Sequence, residues 1–269
     1  MPRFDTVSFL SDYGLSDEFV GVCKAVIRQV APHVTVLDIC HEIPPHDVRA
    51  GSLALARAAQ YLPNGVVLAV VDPGVGGERR AVAVEGGDGE SYFVGPDNGL
   101  LASAVAMTGG AGRAVSLTNE EYQLPAPGPT FAGRDVFAPA AAYLCSGVDL
   151  LELGEPIDPL SLLPGILPLT RAEDGKLVGE VLWVDRFGNV QLNVDPEELA
   201  PFGDAITLRF GDQVRTAVRA HTYDELGPGQ IGLVVDSYGL VSVALARRSA
   251  SDELRLEAPS EVTLEPAAG

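Results

Sequence analysis

Basic residues are scarce in this 269-residue chain: 18 Lys and Arg stand against 37 Asp and Glu, for a formal charge of −19. A surface of that sign repels phosphate backbones and anionic headgroups at long range, and no Lys/Arg cluster offsets it. Nucleic acid and membrane are therefore excluded as expected partners. Cysteine is nearly missing. Cys23, Cys40 and Cys145 are odd in number, far apart and without a CxxC pair, so they read as small buried hydrophobes in a reducing compartment. Aromatics make up 6% of a chain that is 46% hydrophobic, which leaves the core to Val, Leu and Ala. No apolar run reaches the ~18 residues of a membrane span. The opening segment also lacks a signal peptide's apolar core and is cut short by Asp12. The expected setting is cytoplasmic. The four histidines form no metal set: His41 and His46 lie in a proline-broken segment that excludes an HExxH helix, and His33 and His221 are isolated. No metal and no cofactor is expected.

What is present alternates. Val7–Leu10, His33–Cys40, Val66–Val71 and Tyr92–Gly95 read as strands, the third a continuous apolar run of the kind buried on both faces. Between and after them, Phe19–Val30, Val48–Tyr61, Gly99–Met107 and Asp135–Ser146 carry helical periodicity. This order predicts an α/β N-terminal domain with a mostly parallel sheet covered by helices on both sides. Leu151–Pro168 carries four prolines, and no regular element is expected there. Beyond it, Val178–Val184, Val190–Val194, Ala205–Phe210, Gln213–Ala220, Ile231–Val235 and Leu240–Ala246 are short, β-branched and evenly spaced. They predict an antiparallel, all-β barrel-like C-terminal domain. The domains are placed at residues 1–170 and 171–269.

In an open α/β sheet, ligands gather beyond the carboxyl ends of the strands. Three predicted strand ends deliver polar groups there: Ser11-Asp12-Tyr13-Gly14 followed by Asp17, Asp72-Pro-Gly-Val-Gly-Gly-Glu-Arg79, and Gly95-Pro-Asp97-Asn98. A single strand-end Asp is ordinarily a helix cap; three together point to a polar site. The Asp72 loop is glycine-rich but lacks the Lys-Ser/Thr of a Walker loop and the G-x-G-x-x-G spacing, which argues against nucleoside triphosphates. An Arg79 folded back on Asp72 would keep that carboxylate ionised and aimed; a plain loop-bracing ion pair is the bland alternative. In the β domain, Asp185-Arg-Phe187-Gly-Asn189 is turn chemistry first, with a ring and an amide suited to a purine. Asp236-Ser237-Tyr238 follows between the later strands.

As a set in this order, with Asp38-Ile-Cys-His41 and Thr130-Phe-Ala-Gly-Arg-Asp-Val-Phe-Ala-Pro139, these segments resemble the S-adenosyl-L-methionine (SAM) hydroxide adenosyltransferases, or SAM hydrolases. These are relatives of the SAM-dependent fluorinase and chlorinase. The resemblance implies an α/β domain followed by a β-barrel, and a homotrimer with sites between one subunit's N-terminal domain and its neighbour's C-terminal domain. It implies SAM as substrate, with adenosine and L-methionine as products. It also implies an Asp-Arg-His triad around the attacking water. Asp72 and Arg79 match the first two members, and Ala132 stands at the position of the third. By the same likeness Asp12 is expected at the ribose hydroxyls, with Asn98 on the ribose side. Asp17 and Asp185 are expected at the methionine ammonium, Ser237 at its carboxylate, and Phe187 and Asn189 at adenine.

Arg134 and Asp135 read as fixing the turn and the helix start. The segment Ala244–Ala250 departs from the family's Asn-containing stretch at its adenine end. Asp72 favours water over halide, since the halogenating relatives have no acid at its position. With a methyl at 132 the expected enzyme is impaired, a disabled variant that still holds SAM. The rival readings are a non-catalytic SAM- or adenosine-binding protein, favoured if Ala132 is native, and a SAM-dependent halogenase.

Overall fold

The structure, a computed structural model, describes residues 2–267. The chain divides into two compact units, the first ending at Ile166 and the second beginning at Leu167. The first holds seven strands: β1 (Thr6–Ser11), β2 (Thr35–Cys40), β3 (Val66–Val70), β4 (Ala81–Gly86), β5 (Ser91–Pro96), β6 (Ala111–Ser116) and β7 (Glu155–Ile157). They form one sheet in the order β2-β1-β3-β5-β4-β6-β7. The first four run parallel, and β4, β6 and β7 extend the sheet antiparallel.

Helices cover both faces, as the alternation predicts. Helix α1 (Phe19–Val30) buries Val20, Cys23, Val26 and Ile27, a single stripe at helical spacing. It packs with Ala138–Ser146 on one face, where Phe9, Leu68 and Phe137 are also buried. Helix α2 (Val48–Ala59) starts at Asp47, whose carboxylate accepts from the Ala50 amide at 2.8 Å. With α3 (Ala102–Met107) it covers the other face, over Leu10, Val71 and Phe93. Cys23 and Cys145 are buried, and burial pushes both thiols up to about 12. Among the described residues no helix is long and apolar enough to cross a membrane.

The second unit contains β8 (Arg171–Glu173), β9 (Lys176–Val184), β10 (Val190–Leu192), β11 (Ala205–Phe210), β12 (Gln213–Ala220), β13 (Ile231–Val235), β14 (Val241–Leu245) and β15 (Glu261–Pro266). Pairing runs β10-β14-β13-β12-β11-β15-β9-β8, and β9 also pairs with β10. That last ladder closes seven strands into a barrel and leaves β8 as a flap on β9. The barrel interior is aliphatic, with Val181, Leu192, Ile206, Leu208, Val243 and Leu264 fully buried.

Two expectations need correction. β12 and β13 are parallel, so the barrel is not wholly antiparallel. The proline-rich stretch does hold a strand: β7 lies at the sheet's margin, where Pro156 can pair without supplying an N–H on its outer side. The strands β4, β6, β8 and β15 carry too little hydrophobic contrast to stand out. In β4 alanines alternate with valines, and β15 is flanked by Glu and Pro.

Candidate active site

The carboxyl ends of β1, β3 and β5 lie side by side, because β3 pairs with both neighbours in parallel. After β1, the Asp12 amide donates to the Val70 carbonyl at 3.3 Å, which carries the turn across the end of β3. His41 holds that turn. Its carbonyl accepts from the Gly14 amide at 2.8 Å, and its ring lies 2.8 Å from Ser11 Oγ and 3.1 Å from Asp38 Oδ1. Partial burial works against ionisation of Asp38, but hydrogen bonds from Lys24 and His41 outweigh it and hold the carboxyl below its usual range. Asp12 Oδ2 accepts from the His46 amide at 2.9 Å. Asp17 is exposed.

Beyond β3, Arg79 folds back on Asp72. Its Nε lies 2.9 and 3.0 Å from the two carboxylate oxygens, and Nη2 lies 2.5 Å from Oδ2. Asp72 is 6% exposed in its side chain and Arg79 17%, so this is a largely dry pair in fixed orientation. A carboxylate has about four acceptor sites and Arg79 takes three. Asp72 therefore keeps room for one further donor. The guanidinium also rests over the Phe137 ring, 5.3 Å from its centroid.

The third component is the turn at 130–135. The Arg134 and Asp135 amides both donate to the Phe131 carbonyl at 3.0 Å. Gly133–Phe137 is one π turn, closed by the Ala138 amide on Gly133, and it runs into α4 (Ala138–Ser146). Arg134 and Asp135 neutralise each other through contacts of 2.6 and 2.9 Å, and the guanidinium covers the Phe131 ring at 5.0 Å. The two charges brace the turn, as their sequence position suggests. Ala132, Arg79, Gly76, Pro129, Gln123 and Asp135 line a cleft of about 710 Å³. The turn thus presents position 132 to the same space as Arg79, with only a methyl group on it.

Tyr13 follows Asp12 in the turn after β1. Its ring meets Phe19 and Phe131, each at 5.7 Å between centroids. Its hydroxyl stands 2.1 Å from where a Cβ on residue 133 would be, so residue 133 has to be glycine. Burial pushes the phenol well up, Cys23, Asp12 and Asp72 add to that, and Arg79 pulls the other way. The signal was the residue's place beside Asp12; its contact could not be read from sequence.

The remaining candidates are accounted for as follows. Asn98 donates from Nδ2 to the Val71 carbonyl at 2.9 Å and accepts from the Leu100 amide at 3.1 Å, so both ends of its amide brace the loop after β5. In the second unit Asp185 accepts from the amides of Phe187 and Asn189 and from Asn189 Nδ2, all at 2.8 Å. That leaves Phe187 78% exposed on the turn. Tyr223 is pushed up by burial and then by the charges of Asp185 and Asp236. Ser237 is exposed beside Asp236 in the chain. Among the described residues no group of three or more His, Cys, Asp or Glu is placed to hold a metal ion.

Comparison with known proteins gives a consistent result. Residues 7–154 match the SAM hydroxide adenosyltransferase N-terminal domain, and residues 179–263 match the C-terminal domain of the same family. The chain is 45% identical over 248 residues to the (R)-S-adenosyl-L-methionine hydrolase of Salinispora tropica, covering 92% of this chain and 93% of that one. It is 43% identical to the enzyme of that name from Thermus thermophilus, over 96% and 98% of the two chains. A fluorinase from Nocardia brasiliensis is 30% identical over 93% and 92%. Among solved structures, an uncharacterized conserved protein from Thermotoga maritima superposes with a TM-score of 0.87 at 35% identity, covering 96% of this chain and 99% of that one. With both domain models matched in order and strong identity along nearly the full length, the chain belongs to the SAM hydroxide adenosyltransferase family.

Proposed function

We propose that this protein hydrolyses SAM to adenosine and L-methionine, and that it takes the (R)-epimer named for its relatives. The observation that carries the reading is the buried Asp72–Arg79 pair at the end of β3, whose arginine lines the same cleft as position 132. The sulfonium of SAM is already a good leaving group, so the departing side needs no acid. Water is the weak partner and has to be held in line and relieved of a proton. Asp72, fixed by Arg79, accepts the hydrogen bond from that water. The new O–C5′ bond forms as the C5′–S bond breaks, its electron pair goes to sulfur, and the water's proton leaves through Asp72 to solvent. A carboxylate here repels halide, which favours hydrolysis over halogenation.

Asp12 is assigned to the ribose hydroxyls, with Asn98 shaping the loop beside them. Asp17 and Asp185 are assigned to the ammonium, Ser237 to the methionine carboxylate, and Phe187 and Asn189 to adenine. A homotrimer completes each site with a neighbour's barrel. The division of work follows the α/β and barrel domains, 1–170 and 171–269. The methyl at 132 makes turnover slow. One positioned acid–base group is worth roughly 10²–10⁴-fold, so Ala132→His should raise the adenosine-forming rate by at least about tenfold, measured by chromatography of SAM incubations. An unchanged rate sinks the triad assignment at 132. SAM bound tightly with no adenosine from either protein would establish the binding-protein reading, which Ala132 is the specific reason to consider.

A further inference from the structure

We propose that the Tyr13 hydroxyl takes over the task that position 132 leaves undone, accepting a hydrogen bond from the attacking water on the side away from Asp72. This rests on the SAM-hydrolysis reading and adds a residue to it. A water held only by Asp72 has one directional contact and rotates about it; in-line attack requires at least two. The turn that faces the cleft offers none from residue 132, whose side chain is a methyl.

Tyr13 leaves the neighbouring strand end, where the Asp12 amide bonds the Val70 carbonyl two residues before Asp72. It follows Asp12 directly, and its amide lies 3.4 Å from Ser11 Oγ, so its backbone belongs to the turn that His41 fastens. Its ring is set edge-on against Phe131, the residue before Ala132. Its hydroxyl rests on Gly133, the residue after it. The tip of Tyr13 therefore stands against the backbone of the 131–133 turn, within the electrostatic reach of both Asp72 and Arg79. Among the described residues nothing hydrogen-bonds to that hydroxyl, so its lone pairs are available. Burial keeps the phenol protonated, so it can accept through its oxygen lone pairs without competing with Asp72 for the proton.

The test is a two-by-two set of proteins, Tyr13→Phe with and without Ala132→His, assayed for adenosine formation from SAM with melting temperatures recorded. In the Ala132 protein, Tyr13→Phe should lower kcat by about tenfold or more, one hydrogen bond's worth, with KM within about twofold and melting unchanged. In the Ala132→His protein the same change should cost less than about threefold, because an imidazole then supplies the second contact. A kcat within twofold of the parent after Tyr13→Phe overturns the inference. So does an equal loss in both backgrounds, which would mark a merely structural tyrosine. If the Ala132→His protein makes adenosine and the parent makes none, the hydrolase reading stands and the Tyr13 role falls. If neither makes adenosine, both fall.

Discussion

Ala132 and Gly133 illustrate how little a side chain needs to contain in order to matter. A methyl at 132 leaves a gap toward Arg79, while hydrogen at 133 makes room for a phenol. Gly133→Ala should therefore be costly. The added Cβ would land 2.1 Å from the Tyr13 hydroxyl, and a ring wedged between Phe19 and Phe131 cannot swing aside freely. Overpacking of this kind typically costs about 1–3 kcal/mol. Urea denaturation should show a loss on that scale, with a smaller loss in a Tyr13→Phe background where the clashing oxygen is gone. Equal losses in the two backgrounds would show that the glycine is needed for some other reason. Of these residues the sequence made Asp72 and Arg79 legible, because seven positions of glycine-rich loop let an Arg return to an Asp. Tyr13 was not legible as a partner of Gly133, since nothing in a linear order says which distant backbone a ring tip will touch.

Strands differ in how plainly they announce themselves, and burial explains the difference. β3 is five consecutive buried residues at the sheet's centre, so its sequence is one apolar run. α1 shows its single buried stripe as helical spacing. β4 and β6 were invisible by that measure, yet they are joined by a specific electrostatic tie. Arg113 on β6 donates to Glu85 on β4 at 2.8 and 2.9 Å, and Tyr92 on β5 donates to the same carboxylate at 3.2 Å. The hydrogen bonds from Arg113 hold the Glu85 carboxyl below its usual range, against the effect of burial. A depressed folded value means the contribution is present above the ordinary glutamate range, about 4.3, and is lost as pH falls through the folded value. Glu85→Gln should thus destabilise the protein at neutral pH by about 0.5–1 kcal/mol, a modest figure because Arg113 is 42% exposed. The gap between variant and parent should narrow in melts taken down in pH through that lowered value. A gap independent of pH would mean that packing, not charge, is what Glu85 supplies.

At the level of assembly, the −19 charge and a few open apolar side chains point in different directions. Acidic chains repel one another, yet Leu160 and Leu169 are 94% and 83% exposed on the run between the two units, with Ile166 between them at 82%. Apolar groups left this open favour cover, in keeping with the proposed trimer. Light scattering behind a sizing column should give about three times 28.1 kDa at moderate salt, and a single-chain mass across the concentration range would remove the trimer from the proposal. The barrel's closing ladder between β9 and β10 has a different bearing. A wall that ends on itself satisfies its own backbone and offers no margin for a foreign strand except β8, where Arg171 and Glu173 are both charged and exposed. Such a piece carries its ladder hydrogen bonds with it, so recombination after β7, near the Ile166–Leu167 division, would separate two intact sheets and tear neither. Shuffling barrels among α/β partners is then a route by which this lineage could exchange the groups proposed to read a nucleoside while keeping those proposed to aim the water.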